Sequence, residues 1–440
     1  MDILIKIAQL FLCFTILVGI HELGHFLMAR AFKIRVEKFY IFFDPWFSLF
    51  KFKRGDTEYG LGWLPLGGYV KIAGMIDESM DKEQMKQPVK PDEFRAKPAW
   101  QRLLVMVAGV MMNVLLAIVI YCAVCYTWGD SYFSNQDAKW GYNFNPTAHE
   151  MGFRDGDRFV SIDGEEIDNV MRVQNDLLIT DGGRRVVVER GGEPVTLDIP
   201  FESLLRMRQE KAYEDLFTLR LPFIVDSVSY TSAVEAGLQS GDEVVAIDDL
   251  RDADYPRYRD YLQKHKNDKV LLTVRRDGAL IDSLALPVDA EGRIGVTVTN
   301  PYSLRTQYYT FWESIPAGIH KAGKTISSYW DQLKLIVQPK TKMYEELGGF
   351  VAIGSIFPGS WDWHDFWLKT AFLSIILAVM NLLPIPGLDG GHALFTLWEI
   401  ITRRKPSEKF LEAAQYVGLM IILALLVYAN GNDIYRFFIK

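Results

Sequence analysis

Four stretches of the chain are apolar almost without interruption, and the rest alternates or is polar. In chain order they are residues 3–20, 103–126, 366–383 and 417–438. A bilayer crossing needs about 20 predominantly apolar residues, so each stretch predicts a membrane-spanning helix. The second, LLVMVAGVMMNVLLAIVIYCAVCY, has Asn113 as its one strongly polar residue, and the fourth is most apolar up to Ala429. The first contains Lys6 and Gln9 and runs straight into HELGH, and the third runs into NLLPIPGLDGG. An ionisable group at bilayer depth costs a few kcal/mol or more, so such impurities mark function. The N-terminal run does not read as a signal peptide, because Asp2 precedes Lys6 and a small-residue cleavage pattern is poorly developed.

Between the second and third runs, residues 128–361 are polar and contain a repeat. AHEMGFRDGDRFVSIDG begins at Ala148, and AVEAGLQSGDEVVAIDD begins 85 residues later at Ala233. Each is followed by a second match, VVVERGGE around Arg190 and LLTVRRDG around Arg276. Each unit reads as a small β-rich domain with short alternating strands, Gly-Asp turns and a short helix before the first turn. After the second unit, apolar and aromatic residues recur at three-to-four spacing, with Lys321, Lys324 and Lys334 among them. That pattern predicts an amphipathic helix, either lying on the membrane surface or packed on the repeat units.

Composition adds little to this picture, and charge adds orientation. The 440 residues are 49% hydrophobic and 13% aromatic, which excludes a disordered chain. A net charge of −7 gives no reason to expect a nucleic-acid partner. Cys13, Cys122 and Cys125 all lie in apolar runs and suggest no disulfide framework. Arg30, Lys33, Arg35, Lys38, Lys51, Lys53, Arg54 and Lys71 follow the first run, and Arg403, Arg404, Lys405 and Lys409 separate the third and fourth. Basic residues near membrane ends favour the cytoplasm. Both termini and the repeat-bearing segment are then outside.

The chemistry is concentrated in ILVGIHELGHFLMAR, residues 16–30, where His21, Glu22 and His25 fit H-E-x-x-H. Helical residues four apart differ by about 40°, so His21 and His25 share a face. Two neutral imidazoles at that spacing reach one Zn²⁺. Glu22 lies off the ligand line, in the general-base position. The bland reading is a histidine pair satisfying hydrogen bonds in a helix bundle, but three ionisable groups inside an apolar span weigh against it. A zinc protease site needs a third protein ligand and an open position. Asp389 is the only acidic residue of MNLLPIPGLDGGHALF, residues 380–395, where two prolines and three glycines break the helix. A buried carboxylate there needs a partner or a metal. Asp389 is the expected third ligand, with His392 its rival or a hydrogen-bonded neighbour.

HELGH at the end of the first span, with NLLPIPGLDGG in the third, closely resembles the site-2 proteases, which are intramembrane zinc metalloproteases. The likeness covers essentially the whole chain. The repeat pattern Ala-x-x-x-Gly-(Leu/Phe)-x-x-Gly-Asp-x-(Val/Phe)-x-x-Ile-Asp resembles PDZ domains, which either accept an extended peptide as an added strand or only cover and gate. The resemblance implies that His21, His25 and Asp389 bind one Zn²⁺ per chain and that Glu22 activates water. It implies that Asn381, Pro384 and Pro386, in the pattern Asn-x-x-Pro-x-Pro-x-x-Asp-Gly, help receive substrate. TEYGLGWLPLGGYVKIAGM, residues 57–75, resembles the family's membrane-re-entrant β-hairpin, which makes Gly67, Gly68 and Tyr69 expected substrate contacts. From the residues alone an ordinary cytoplasmic hairpin fits as well. ELGGFVAIGSI resembles a family segment that usually carries proline after its glycines, where this chain has Phe350.

The expected fold class is an α-helical polytopic membrane protein, four transmembrane helices with a membrane-re-entrant β-hairpin, plus two tandem β-rich PDZ-like domains. Its expected map is transmembrane helix 1 at 1–32, a cytoplasmic segment at 33–98, helix 2 at 99–127, PDZ-like domains at 128–220 and 221–305, an amphipathic membrane-surface region at 306–365, helix 3 at 366–400 and helix 4 at 412–438. The implied activity is cleavage of peptide bonds within transmembrane segments of single-pass membrane proteins. An anti-sigma factor of the envelope stress response, first cut on its periplasmic side, and remnant signal peptides are the implied substrates. The implied location is a bacterial inner membrane, with the termini and PDZ-like domains periplasmic and the active site within the bilayer towards the cytoplasm. The alternative is a non-catalytic PDZ-bearing membrane adaptor with a structural metal, and a transporter is a weaker one.

Overall fold

The computed structural model describes residues 2–64, 67–75, 88–213, 215–251 and 254–439. The chain divides into two units, residues 1–130 with 307–440, and residues 131–306.

Among the described residues the first unit is built on six longer helices, α1 (Asp2–Ala31), α2 (Ala99–Trp128), α3 (Phe311–Val337), α4 (Trp363–Leu382), α5 (Asp389–Thr402) and α6 (Glu408–Ile434), with a short one at Phe350–Ser355. Among the described residues four apolar segments are long enough to cross a membrane: α1, α2, α4, and Lys409–Phe437, which carries α6 a few residues further. Helix is the expected solution there, because backbone polar groups in lipid must be satisfied within the segment. α1 and α2 approach closely where small residues meet. A Cβ on Gly24 would lie 2.8 Å from the carbonyl carbon of Ala108, so only glycine allows this spacing.

α3 starts with a reciprocal Thr310–Glu313 capping box. It lies along α2, where a Cβ on Gly318 would come within 2.6 Å of the Cys122 backbone nitrogen. Its partner is therefore a membrane-length helix, whether or not lipid also covers its exposed Trp312 and Trp330. α4 begins at Trp363 and ends at Leu382, well short of the span expected through residue 400. Pro384 and Pro386 cannot continue the ladder, and the chain turns through Gly387 at φ 99° before α5 begins at Asp389.

A four-stranded sheet follows α1, with β1 (Val36–Ile41), β2 (Phe43–Arg54), β3 (Thr57–Leu64) and β4 (Tyr69–Ile72) in the order β2-β3-β1-β4. This corrects the expected hairpin over 57–75. β3 and β4 do not pair with each other. β1 lies between them, parallel to β3 and antiparallel to β4, with Tyr40 opposite both Gly60 and Tyr69. The hairpin is β2–β3, turning at Gly55. β1 takes the central place because Val36 and Tyr40 are fully buried, and Val36 joins Ile34, Val70, Ile72, Val105 and Met106 in one cluster. Pro65 and residues 76–87 of the expected cytoplasmic segment lie outside the described residues.

The second unit holds two hydrophobic cores, one drawn from residues 133–216 and one from 223–294. The repeat in the sequence has a physical counterpart in each. Arg190 forks onto Asp157 at 2.8 and 2.7 Å and reaches the Gly152 carbonyl at 2.8 Å. Arg276 forks onto Asp242 at 2.6 and 2.7 Å and reaches the Gly237 carbonyl at 2.8 Å. Both aspartates are buried and follow the glycine of a Gly-Asp turn. A buried carboxylate requires such bidentate pairing.

Candidate metal centre

His21 and His25 lie one turn apart on the inward face of α1, and both are buried. Asp389 is the first residue of α5, where the positive end of the helix dipole favours a carboxylate. Its Oδ2 is 3.1 Å from His21 Nε2 and 3.2 Å from His25 Nε2, and the two Nε2 atoms are 3.2 Å apart. Asp389 Oδ2 is nevertheless buried without a hydrogen-bond partner. The three atoms lie close enough together to share one ion. Ligands about 2.0–2.1 Å from a tetrahedral ion sit roughly 3.3–3.4 Å apart, close to the observed triangle. These residues are suited to hold a metal.

Hydrogen bonds behind the imidazoles set their orientation. His25 Nδ1 is 2.8 Å from the Val105 carbonyl of α2. That oxygen only accepts, so Nδ1 carries the proton and Nε2 keeps its lone pair for the triangle. The Asn113 amide sits 3.3 Å from His21 Nδ1. Turning it about its last bond presents Oδ1, which otherwise has no partner, to an Nδ1–H. Ser374 of α4 holds the Asn113 backbone carbonyl at 2.8 Å, tying a third helix to the arrangement. Gly109 of α2 faces both rings, and a Cβ there would lie 2.8 Å from His21 Nε2. In the sequence Asn113 stands out only as an impurity of its span, and Val105 and Gly109 carry no motif. The signal for Gly109 is its spacing, four residues before Asn113 on one helical face.

The triangle opens into a cavity of about 880 Å³. Glu22, Gly67, Gly68, Tyr69, Asn381 and His392 line it. Glu22 lies beside Val70 of β4 on the cavity wall. Gly68 permits that approach, since a Cβ there would lie 2.8 Å from the Val18 side chain and 3.3 Å from that of Glu22. Tyr69 donates to Asp44 at 2.9 Å and stacks on Tyr40 at 5.3 Å. Asn381 ends 3.4 Å from His21 Nε2. Pro384 and Pro386 are not among the described lining residues. They shape the break instead, with the Pro386 carbonyl pressed against Gly418 of α6. His392 lies on the cavity wall but outside the donor triangle.

A membrane protein whose buried imidazole pair and carboxylate converge beside a glutamate has the makings of a metalloprotease. The comparisons agree. The model for peptidase family M50 matches residues 9–425, and the chain belongs to that family. A Clostridium perfringens protein named as a candidate zinc metalloprotease is 29% identical over 427 residues, covering 96% of each chain. A Vibrio cholerae protein with the same description is 29% identical over 462 residues, covering 99% of each. The Haemophilus influenzae regulator of sigma E protease is 27% identical over 460 residues, covering 99% of this chain and all of its own. The protein is a metalloprotease, and the resemblance read from HELGH and NLLPIPGLDGG holds over nearly its full length.

Proposed function

We propose that this protein is an intramembrane zinc metalloprotease that hydrolyses peptide bonds within transmembrane segments of single-pass membrane proteins. The observation that carries the reading is the His21–His25–Asp389 triangle, contributed by membrane-length α1 and by the break after α4, opening into a cavity bounded by a strand edge. The cofactor is zinc, held by those three side chains. When bound, it supplies Lewis acidity towards water and the scissile carbonyl. Glu22 takes the proton of the attacking water and returns it to the leaving amine nitrogen.

A substrate helix hides its peptide groups in its own hydrogen bonds and must be unwound before attack. β4 is the edge strand of its sheet, so an unwound segment can add along it. Val70 of that strand and Glu22 line the same cavity, so a segment added there lies against the general base. Asn381 contributes an amide to the substrate backbone. The two repeats of residues 131–306 are PDZ-like modules that stand in the periplasm and exclude substrates with large outer domains. An anti-sigma factor already cut by another protease fits that restriction, in keeping with the relative named regulator of sigma E protease.

The test is cleavage of a reporter transmembrane segment by purified protein. Wild type cuts it. Glu22→Gln keeps its zinc and loses activity by about 10²–10⁴-fold, whereas His21→Ala and Asp389→Ala lose the metal. Equal cleavage by Glu22→Gln overturns the mechanism.

A further inference from the structure

Among the described residues that line the 880 Å³ cavity, one comes from α6, and it is Gln415. It sits in an otherwise apolar stretch, AAQYVGLMIILALL, where a polar side chain that faces inward marks a functional position. Gln415 is only 7% exposed. Its amide has no hydrogen-bond partner among the described residues, unlike neighbouring Glu412 and Tyr416, which have interactions of their own. The side chain borders the cavity. A buried amide left without a partner is costly, and a methionine or leucine would fill the same space.

The position is held firmly. Gly418, one turn further along α6, presses on the break that carries the third metal donor, where a Cβ would lie 3.0 Å from Pro386 Cα. Gly387 in turn approaches the Leu419 backbone nitrogen, 3.6 Å from its ideal Cβ position. This close packing of glycine and backbone fixes Gln415 at the wall beside residues 387–389.

We infer that Gln415 is a substrate-binding residue whose amide donates to a carbonyl and accepts from an N–H of the unwound substrate segment. An extended segment paired to β4 on one side has unpaired peptide groups on the other, in surroundings with little water. A glutamine offers one donor group and one acceptor, and so satisfies one of each. A glutamate would lose the donor and would place a fourth carboxylate in a cavity that already holds Glu22, Asp44 and Asp389. The ligand class is a polypeptide backbone in extended form, independent of side-chain sequence. This rests on the proteolytic reading above.

The test uses the full-length protein in bilayer discs with a reporter transmembrane segment. Gln415→Met is expected to raise KM about tenfold, the worth of a buried hydrogen bond, with kcat within about twofold and zinc content unchanged. In the cleavage-dead Glu22→Gln background the same substitution weakens binding of the uncut reporter about tenfold. Replacing single reporter amides by esters removes one N–H at a time. The ester at the contacting position costs affinity in wild type and none in Gln415→Met. Gln415→Glu, nearly isosteric, loses affinity likewise and serves if the methionine variant is unstable. Unchanged KM and unchanged reporter binding in either well-folded variant overturn the inference. Wild-type cleavage with loss in Glu22→Gln upholds the proteolytic reading whatever Gln415 does, so the two fail separately.

Discussion

A single methyl group is too much at position 109. The Cβ of Gly109→Ala would occupy space between the His21 and His25 rings, and no rotation of a methyl relieves that. The α1–α2 approach is fixed a residue away by Gly24 against Ala108, so the rings must turn instead. Gly109→Ala is expected to weaken zinc binding by about 10–100-fold, as loss of supporting contacts does in other metal sites, with the membrane helices still formed. Metal analysis of purified protein against a competing chelator measures it. The chemistry of HELGH was readable because spacing alone places two imidazoles on one face. Val105, Gly109 and Gln415 were not readable, because each matters through what another helix brings to it, and a backbone carbonyl or a missing side chain leaves no motif.

At the scale of elements, the repeated ion pairs of residues 131–306 make a claim about acid. Burial alone would raise the Asp242 carboxyl, but the Arg276 fork and the Gln239 N–H outweigh it and hold the group below the usual range. Asp289 responds in the same way: desolvation is the largest single effect and raises it, but the Arg293 N–H, the Tyr230 hydroxyl and the Arg293 guanidinium together outweigh it and bring the group to about 2. Both folded values lie below the unfolded one of about 3.9. Their stabilisation is therefore present above the unfolded value and is lost as pH falls through the folded values, which for Asp289 is about 2. Thermal melting of this unit between about pH 5 and pH 2 should follow that course. Asp242→Asn, which leaves Arg276 unpaired, should cost about 3 kcal/mol at neutral pH and flatten the acid slope. These elements were legible because VVVERGGE and LLTVRRDG carry the arginine at the same place after a Gly-Asp turn. The sheet after α1 was only half legible. Glycines and alternation announce strands in 57–75, but which strand pairs with which is set by the buried side of VEKFYI, whose partners lie on both flanks.

For the whole molecule, the basic loops predict orientation. A reporter inserted at Gly191, an exposed turn in the repeat-bearing unit, should be accessible from the periplasm, and one inserted after Arg404, between α5 and α6, only from the cytoplasm. Protection against added protease in sealed vesicles distinguishes the two, and accessibility of both from one side would refute the four-span arrangement. The membrane helices were legible from length and hydropathy alone. The place of α3 was not, since an amphipathic pattern says that one face is covered without saying by what.

The three proposed metal donors lie far apart in the sequence. His21 and His25 enter the membrane with the first helix, and Asp389 follows only after the repeats and α4 have been made. A chain still on the ribosome, or one cut short before residue 389, has two donors and no complete centre. Assembly of the proposed centre thus waits on the translation of Asp389, and no partial chain that stops before it can bring the three donors together.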